Sequence, residues 1–172
     1  MKKILFVLFL LIITSGCVDV KEVENVAKEA TLEEIIQNPD FFWFMTYYNN
    51  FKVSQATVEE IKAAFVPAKH SFLIYVEPDC FCESDYDYMK FPAFIKILDS
   101  AEISSDYYQI FIVKNTYAKH PYSHIFTLSN LPTFIILKDG EFIFSVSDAL
   151  LEYSFLHNPN KLAEFLLAGL KM

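Results

Sequence analysis

The sequence predicts a single α/β domain with a central mixed β-sheet flanked by helices, preceded by an N-terminal signal and tether extension. Short apolar runs of strand length alternate with segments of helical spacing along the chain. An Asp-Gly pair between two apolar runs is a strong hairpin signal. The length of 172 residues suits one core plus an export segment and is too short for two cores.

Composition narrows the classes of function. The chain has 18 Phe and 10 Tyr but only 3 Gly, so it has ample material for a packed core and none of the signature of disorder. Its net charge is -8 and it contains no arginine, which argues against a nucleic-acid partner because phosphate binding needs clustered basic side chains. No glycine-rich phosphate loop is present, and the sequence implies no cofactor.

The first 16 residues have the layout of an export signal. Lys2 and Lys3 precede an apolar run over residues 4–13, and small residues follow up to Gly16. The apolar run is too short to span a bilayer comfortably, so we expect a signal that is cleaved.

The end of this signal resembles that of bacterial lipoproteins. Gly16 and Cys17 fit the cleavage pattern, whereas Thr14 stands where an aliphatic residue is usual. The resemblance implies that Cys17 is acylated and anchors the chain to a membrane of the cell envelope, with the domain outside the cytoplasm. The alternative is an ordinary secretory signal followed by a chance cysteine. A lipid on Cys17 leaves Cys80 and Cys82 as a pair.

Residues 17–50 are predicted to form a tether with short helical and aromatic segments. Thr31 and Glu34 form a capping box, which predicts a short helix that ends near Pro39. The aromatic run at residues 41–44 is either an exposed contact surface or a segment packed on the core, and we favour the core.

Residues 51–172 are predicted to form the domain itself. Its elements, in chain order, are a helix opened by a capping box at Thr57 and closed by Pro67, a buried strand at 71–76, a helix at 84–98 kinked by Pro92, a strand at 107–113, an irregular polar connection at 115–130, a hairpin at 133–144 that turns at Asp139-Gly140, and a helix at 161–170 capped by Asn160.

Two stretches of this domain carry the most specific motifs. The stretch 131–141 reads Leu-Pro-Thr-Phe-Ile-Ile-Leu-Lys-Asp-Gly-Glu. The strand at 72–76 leads into a loop with Cys80 and Cys82 and then into a helix with a kinking proline. Over roughly residues 51–171 the chain therefore resembles the thioredoxin superfamily, and the first stretch is similar to the family's cis-proline, following strand and hairpin turn. The resemblance implies that Pro132 is cis and lies beside Cys80 and Cys82, and that this pair exchanges with thiols or disulfides of exported proteins.

The predicted site departs from the family pattern. One residue, not two, separates Cys80 from Cys82. The buried acid that the family keeps before its first cysteine falls on Ile74, or on Val76 if Cys82 is aligned instead. A nearby helix start favours a thiolate, whereas the acidic residues crowding the loop oppose one, so we expect a slow nucleophile.

Two other functions stay open on the sequence. The cysteines can be an inert staple in a redox-inactive binding module that keeps only the fold. Alternatively, Cys80 and Cys82 bind copper or zinc together with His120 or His124, because thiolates and imidazole suit these metals.

Overall fold

The computed structural model describes residues 25–78 and 87–172. The strands are β1 (Lys28–Ala30), β2 (His70–Val76), β3 (Tyr108–Ile112), β4 (Thr133–Lys138) and β5 (Glu141–Ser145). The α-helices are α1 (Leu32–Gln37), α2 (Phe44–Asn50), α3 (Gln55–Ala64), α4 (Lys90–Ser100), α5 (Val146–Ala149) and α6 (Lys161–Leu170). Short 3-10 turns lie at Pro39–Phe41, Asp87–Met89 and Ser105–Tyr107. None of the helices in these two described ranges is long and apolar enough to cross a membrane.

The strands form one five-stranded sheet in the order β1-β3-β2-β4-β5. β2 and β3 run parallel, while β1 with β3, β2 with β4 and β4 with β5 are antiparallel. The structure therefore confirms an α/β domain with a mixed sheet flanked by helices. β2, β3 and β5 end, and β1 and β4 begin, at the same end of the sheet, which we call the loop end.

The two faces of the sheet have different covers. Phe72, Ile74 and Val76 point to one face, where they share a core with the buried side chains of the helices. Leu73 and Tyr75 alternate to the other face, as side chains along a strand must. That second core is closed by the irregular connection between β3 and β4, through Ala118, Leu128 and neighbouring residues. We call the two sides the helix face and the connection face.

The segment before residue 51 belongs to the fold from residue 25 onward. β1 extends the sheet beside β3, with Lys28 opposite Ile112. Phe41, Trp43 and Phe44 are buried in the helix-face core, whereas Phe42 keeps 71% of its surface exposed. The core interpretation of the aromatic run is therefore confirmed for three of its four members. The tether predicted over 17–50 is, in its described part, integrated into the domain.

Two of the three predicted helix caps differ from expectation. Thr31 forms the predicted capping box with Glu34 at the start of α1. The capping box predicted at Thr57 is wrong, because α3 begins earlier, at Gln55, and Thr57 lies inside its first turn. Asn160 precedes α6 as predicted, but its backbone is helical and its side chain makes no capping hydrogen bond.

The predicted hairpin between β4 and β5 is present, and its turn lies at Asp139 and Gly140. Asp139 and Gly140 both have positive φ, at 54° and 84°, which is the combination that a type I′ turn needs.

Pro92 lies in the first turn of α4, where a backbone N–H would have no intrahelical acceptor in any case. The predicted kink is therefore not found within α4, and the part of the predicted helix at 84–86 lies outside the described residues.

His70, at the end of the sheet opposite the loop end, is a buried titratable group with 3% of its surface exposed. Its Nδ1 accepts the Val66 N–H at 3.0 Å, so protonating Nδ1 breaks this hydrogen bond. Burial lowers the pKa of His70, and the nearby Lys138 charge lowers it further. Because the folded pKa lies below that of the unfolded chain, His70 contributes stability above about pH 6.5 that is lost as the pH falls toward the folded pKa.

We therefore predict that His70→Asn flattens the pH dependence of stability. Asparagine keeps an acceptor near the Val66 N–H but has no proton to gain. Urea unfolding at pH 7.5 and at pH 5.5 should show a smaller loss of unfolding free energy in the variant than in the unaltered protein. His157→Asn, at an exposed position, is the control and should keep the full loss. Equal losses in the unaltered protein and His70→Asn would contradict the role of His70.

Candidate functional site at the loop end

Strand pairing brings the predicted site together at the loop end. Tyr75, near the end of β2, lies opposite Thr133, the first residue of β4. Pro132 therefore stands beside the place where the chain leaves β2 through Val76 and Pro78. The chain returns at Asp87, in the 3-10 turn that leads into α4. The segment between Pro78 and Asp87 thus begins and ends at the end of the sheet where β4 starts.

The predicted site residues have different outcomes. Cys80 and Cys82 lie between residues 78 and 87, and Cys17 lies before residue 25, so all three are outside the described residues. The Leu131–Pro132 peptide bond is cis, as the resemblance implies, and Pro132 is buried. Both positions considered for the family's acid, Ile74 and Val76, are buried apolar side chains in the helix-face core. The site role of Pro132 stays a prediction.

Ser147 holds the start of β4 in place. Its hydroxyl donates to the Pro132 carbonyl at 2.9 Å and accepts the Phe134 N–H at 2.8 Å. The Pro132 carbonyl and the Phe134 N–H lie on either side of Thr133. Beside this part of β4, β5 has already ended and the chain has turned into α5, so no residue of β5 is available to pair with them. The Ser147 side chain replaces the missing ladder bonds in a site that is almost fully buried.

A second set of bonds shapes the turn before Pro132. The Thr133 hydroxyl donates to the Asn130 carbonyl, which closes the turn across Pro132. Ser129 and Asn130 both donate from their side chains to Asp148 Oδ1, at 2.5 and 3.3 Å. The turn before β4 is therefore linked to α5 by two side-chain hydrogen bonds to Asp148.

On the connection face, the loop end carries a buried tyrosine paired with a histidine. The Tyr75 hydroxyl lies 3.1 Å from His120 Nδ1, and the two rings meet edge to face at 5.0 Å. Burial raises the pKa of Tyr75, so its hydroxyl keeps its proton. Burial also lowers the pKa of His120, which favours the neutral imidazole. His120 is therefore a fixed, half-buried neutral base at this end of the sheet.

The structure distinguishes the two histidines named for a metal site. His120 is held against Tyr75, whereas His124 is exposed farther along the same connection. Within residues 25–78 and 87–172, no three side chains among His, Cys, Asp and Glu are grouped so as to hold a metal ion. A site with the cysteines would need residues outside these ranges, so the described residues supply at most the histidine.

On the helix face, aromatic residues pack below the point where the chain returns at Asp87. The Trp43 and Tyr88 rings meet at 5.5 Å, and the Tyr47 and Tyr88 hydroxyls are 3.0 Å apart. Trp43 is buried, and its indole N–H has no hydrogen-bond partner among residues 25–78 and 87–172. Asp87 pairs with Lys90 at 2.5 Å, which offsets one of the negative charges predicted to crowd the cysteines.

An apolar groove borders this aromatic cluster. It has a volume of about 310 Å³ and runs between the end of α2 and the connection from α5 to α6. Its walls include Phe51, Met89, Phe155 and Leu156. Its volume is at the lower end of the range of ligand pockets in proteins, about 300 to 1,000 Å³.

Sequence reasoning missed Ser147 and Tyr75. Ser147 follows β5 with no motif around it, and its role depends on a backbone that pairing brings from residues 132–134. Tyr75 did carry a signal, since a tyrosine inside an apolar strand run needs a partner for its hydroxyl. The identity of that partner, 45 residues away in an irregular connection, could not be inferred from the sequence.

We predict that Ser147→Ala destabilises the domain by about 2 to 4 kcal/mol, because it leaves two buried backbone groups without a partner. Urea unfolding monitored by the fluorescence of Trp43 measures this loss. Ser129→Ala is a matched control, since its hydroxyl is exposed, and it should cost less than about 1 kcal/mol. A loss for Ser147→Ala no greater than that of the control would show that solvent satisfies the Pro132 and Phe134 groups.

The loop end thus combines the two ends of the segment that contains Cys80 and Cys82, the clamped start of β4, the His120–Tyr75 pair and an apolar groove. No family model, no curated protein and no solved structure matches the chain.

Proposed function

We propose that this protein is an exported, lipid-anchored member of the thioredoxin superfamily that exchanges thiols and disulfides of exported proteins through Cys80 and Cys82. The observation that supports it most is the register of β2 with β4, in which Tyr75 faces Thr133. This register sets Pro132 next to Val76, where β2 ends, four residues before Cys80 in the sequence. The thioredoxin resemblance requires that neighbourhood.

Further features agree with a thioredoxin-like domain. β2 is an apolar strand that leads, through the cysteine segment, to a helix with a proline in its first turn. β4 and β5 form the hairpin that the resemblance predicts, with positive φ at Asp139 and Gly140. These features support the fold that surrounds the proposed site, whereas the proposed exchange reaction itself depends on Cys80 and Cys82.

The proposed reaction is a two-step exchange. The Cys80 thiolate attacks one sulfur of a substrate disulfide, which forms a mixed disulfide and releases the other substrate sulfur as a thiolate that takes a proton from water. The Cys82 thiolate then attacks Cys80, forms the Cys80–Cys82 disulfide and releases the second substrate thiol. Two electrons pass from the cysteine pair to the substrate, and the reverse sequence oxidises a substrate dithiol.

The residues at the end of β2 predict that the second step, the attack of Cys82 on Cys80, is slow. The positions at which the family keeps a buried acid are the apolar Ile74 and Val76, so no side chain there can accept the proton of Cys82. Deprotonation then depends on solvent, and the acidic residues of the segment raise the cost of a thiolate. We therefore expect a long-lived mixed disulfide.

The exchange function predicts catalysis by a soluble form that begins at Val18. This form should reduce insulin or reshuffle scrambled ribonuclease, and Cys80→Ser should lower the rate to that of the uncatalysed reaction. Thiol alkylation and intact mass across a glutathione series should show a reversible two-electron transition between about -120 and -270 mV. Ser104→Ala, an exposed site at the opposite end of the sheet, is the control and should keep full activity.

The same measurements can also refute the exchange function. A pair that stays closed or never closes across the series, with no turnover in any redox buffer, would refute exchange and favour a redox-inactive binding module. Cys82→Ser adds a separate check, because it should accumulate a mixed disulfide with substrate if Cys80 is the attacking thiol.

The placement of His120 supports a second candidate, a copper or zinc site. A neutral His120 whose Nδ1–H donates to the Tyr75 oxygen leaves Nε2 free to bind a metal, which is the usual arrangement of a ligating histidine and its supporting partner. Its position at the loop end is compatible with joining the two cysteines. His124, which is exposed, has no such support.

The metal function predicts stoichiometric copper or zinc after anaerobic purification. His120→Asn should weaken metal affinity by at least about tenfold, whereas His124→Asn should not change it. Competition with a chromophoric chelator measures both affinities. An empty protein that cannot be loaded with Cu(I) or Zn²⁺ would exclude this candidate.

A further inference from the structure

The chain enters the fold at the loop end. β1 is antiparallel to β3, with Lys28 opposite Ile112 at the end of β3. Because β3 and β2 are parallel, the start of β1 lies at the end of the sheet where β2 runs into the segment with Cys80 and Cys82. This placement follows from strand pairing and involves no local sequence signal.

Hydrogen bonds fix the first described residues at that position. The Lys119 N–H donates to the Asn25 carbonyl, and the Ala27 N–H donates to the Lys119 carbonyl, both at 2.8 Å. The Asn25 side chain also donates to Asn115 Oδ1 at 2.7 Å. Residue 25 is therefore held to the connection that follows β3 and cannot move along the surface of the domain.

The remaining link to Cys17 is short. Only residues 18–24 separate Cys17 from Asn25, and such a segment spans at most about 28 Å when fully extended. A compact domain of roughly 150 residues is about 40 Å across. The link is thus too short to pass around the domain, and the end of the sheet to which it attaches is held near the acylated residue.

We infer that the lipid anchor presents the loop end to the membrane, so that the substrates of the cysteine pair are thiols and disulfides in polypeptide segments within about 30 Å of the bilayer surface. This inference rests on the proposed function, because it requires acylation of Cys17 and exchange by Cys80 and Cys82. It names the substrate class by position, namely membrane-protein loops and chains that are emerging at the membrane.

The surface of the loop end suits this orientation. Large apolar side chains are exposed near the entering chain and on the connection that follows α5: Val26, Tyr117, Leu151, Tyr153 and Leu156. Tyrosines and aliphatic side chains of this kind are favourable at a membrane interface. The opposite end exposes the charged residues Lys69, Asp139 and Glu141 at the β4–β5 turn and before β2, beside the less exposed apolar side chains of Val66 and Phe142.

Orientation can be measured without any redox chemistry. Full-length protein with Cys80→Ser and Cys82→Ser is given one labelling site, Tyr117→Cys at the loop end or Val66→Cys at the opposite end. These side chains are 89% and 41% exposed, respectively. Each fluorescently labelled, acylated protein is reconstituted into phosphatidylcholine vesicles that carry acceptor-labelled lipid. We expect at least about twofold stronger energy transfer from position 117, because the two sites are separated by about one domain diameter.

Two controls make the result decisive. Cys17→Ser should abolish flotation with the vesicles, and a 30-residue Gly-Ser insertion after Asp19 should remove most of the difference between the two labels. Equal transfer from both labels with the native link, or stronger transfer from position 66, would overturn the inference. A full-length protein that intact mass shows to lack acylation would overturn it as well.

The substrate class is tested with a disulfide held at a set height above the bilayer. The probe is a transmembrane helix that continues as a rigid helical rod and carries one aromatic mixed disulfide at about 15 or about 60 Å from the surface, at 1.5 Å per residue. Reduced full-length protein in the same vesicles should react at least about tenfold faster with the near probe, since the far probe lies beyond the reach of the link. The Gly-Ser insertion should restore reaction with the far probe.

The failures can be told apart. If the protein does not reduce a small soluble disulfide, the proposed exchange function is refuted, while the fluorescence measurement still decides the orientation. If the soluble disulfide reacts but the near and far probes react equally, exchange stands and the inferred substrate class is overturned.

Discussion

The fold and the candidate site both depend on the antiparallel register between β2 and β4. Side chains alternate along a strand, so a slip by one residue would exchange every side chain between the helix face and the connection face. In the observed register, Phe134 and Ile136 join the helix-face core while Ile135 and Leu137 join the other. The same register sets Pro132 beside the exit of β2, and Ser147 secures it by occupying the two backbone groups that β5 leaves unpaired.

Elements that depend on neighbouring residues could be predicted from the sequence. The apolar run of β2, the Asp139-Gly140 turn and the Thr31 capping box are encoded within a few positions, and all three are found. The start of α3 was misplaced because a capping motif competes with helix-forming residues just before it, and Gln55 extends the helix with a side-chain bond to Glu59. β1 was missed because three residues of ordinary composition become a strand only through pairing with β3, about 80 residues away in the chain.

In the candidate site, too, the residue with a local sequence motif could be predicted, whereas residues brought together by strand pairing could not. Pro132 was identifiable because its sequence context resembles a known family, and the peptide bond before it has the expected geometry. Ser147 and Tyr75 were not identifiable, and His120 was named only as one of two possible metal ligands, because these three residues come from separate stretches that only the folded sheet brings together. The polar connection of residues 115–130 gave no sign that it covers a whole face of the sheet, because its buried side chains are few and spaced without a period.

The attachment of β1 also has a mechanical consequence. Residue 25 leaves the domain along the axis of β1, and the hydrogen bonds between β1 and β3 run across that axis. A pull on the N-terminus therefore loads these bonds together, in shear, along with the bonds between Asn25, Ala27 and Lys119. Shear resists force better than peeling, in which bonds break one at a time. A three-residue edge strand can in this way transmit tension from the N-terminus into the sheet through β3, the strand beside it.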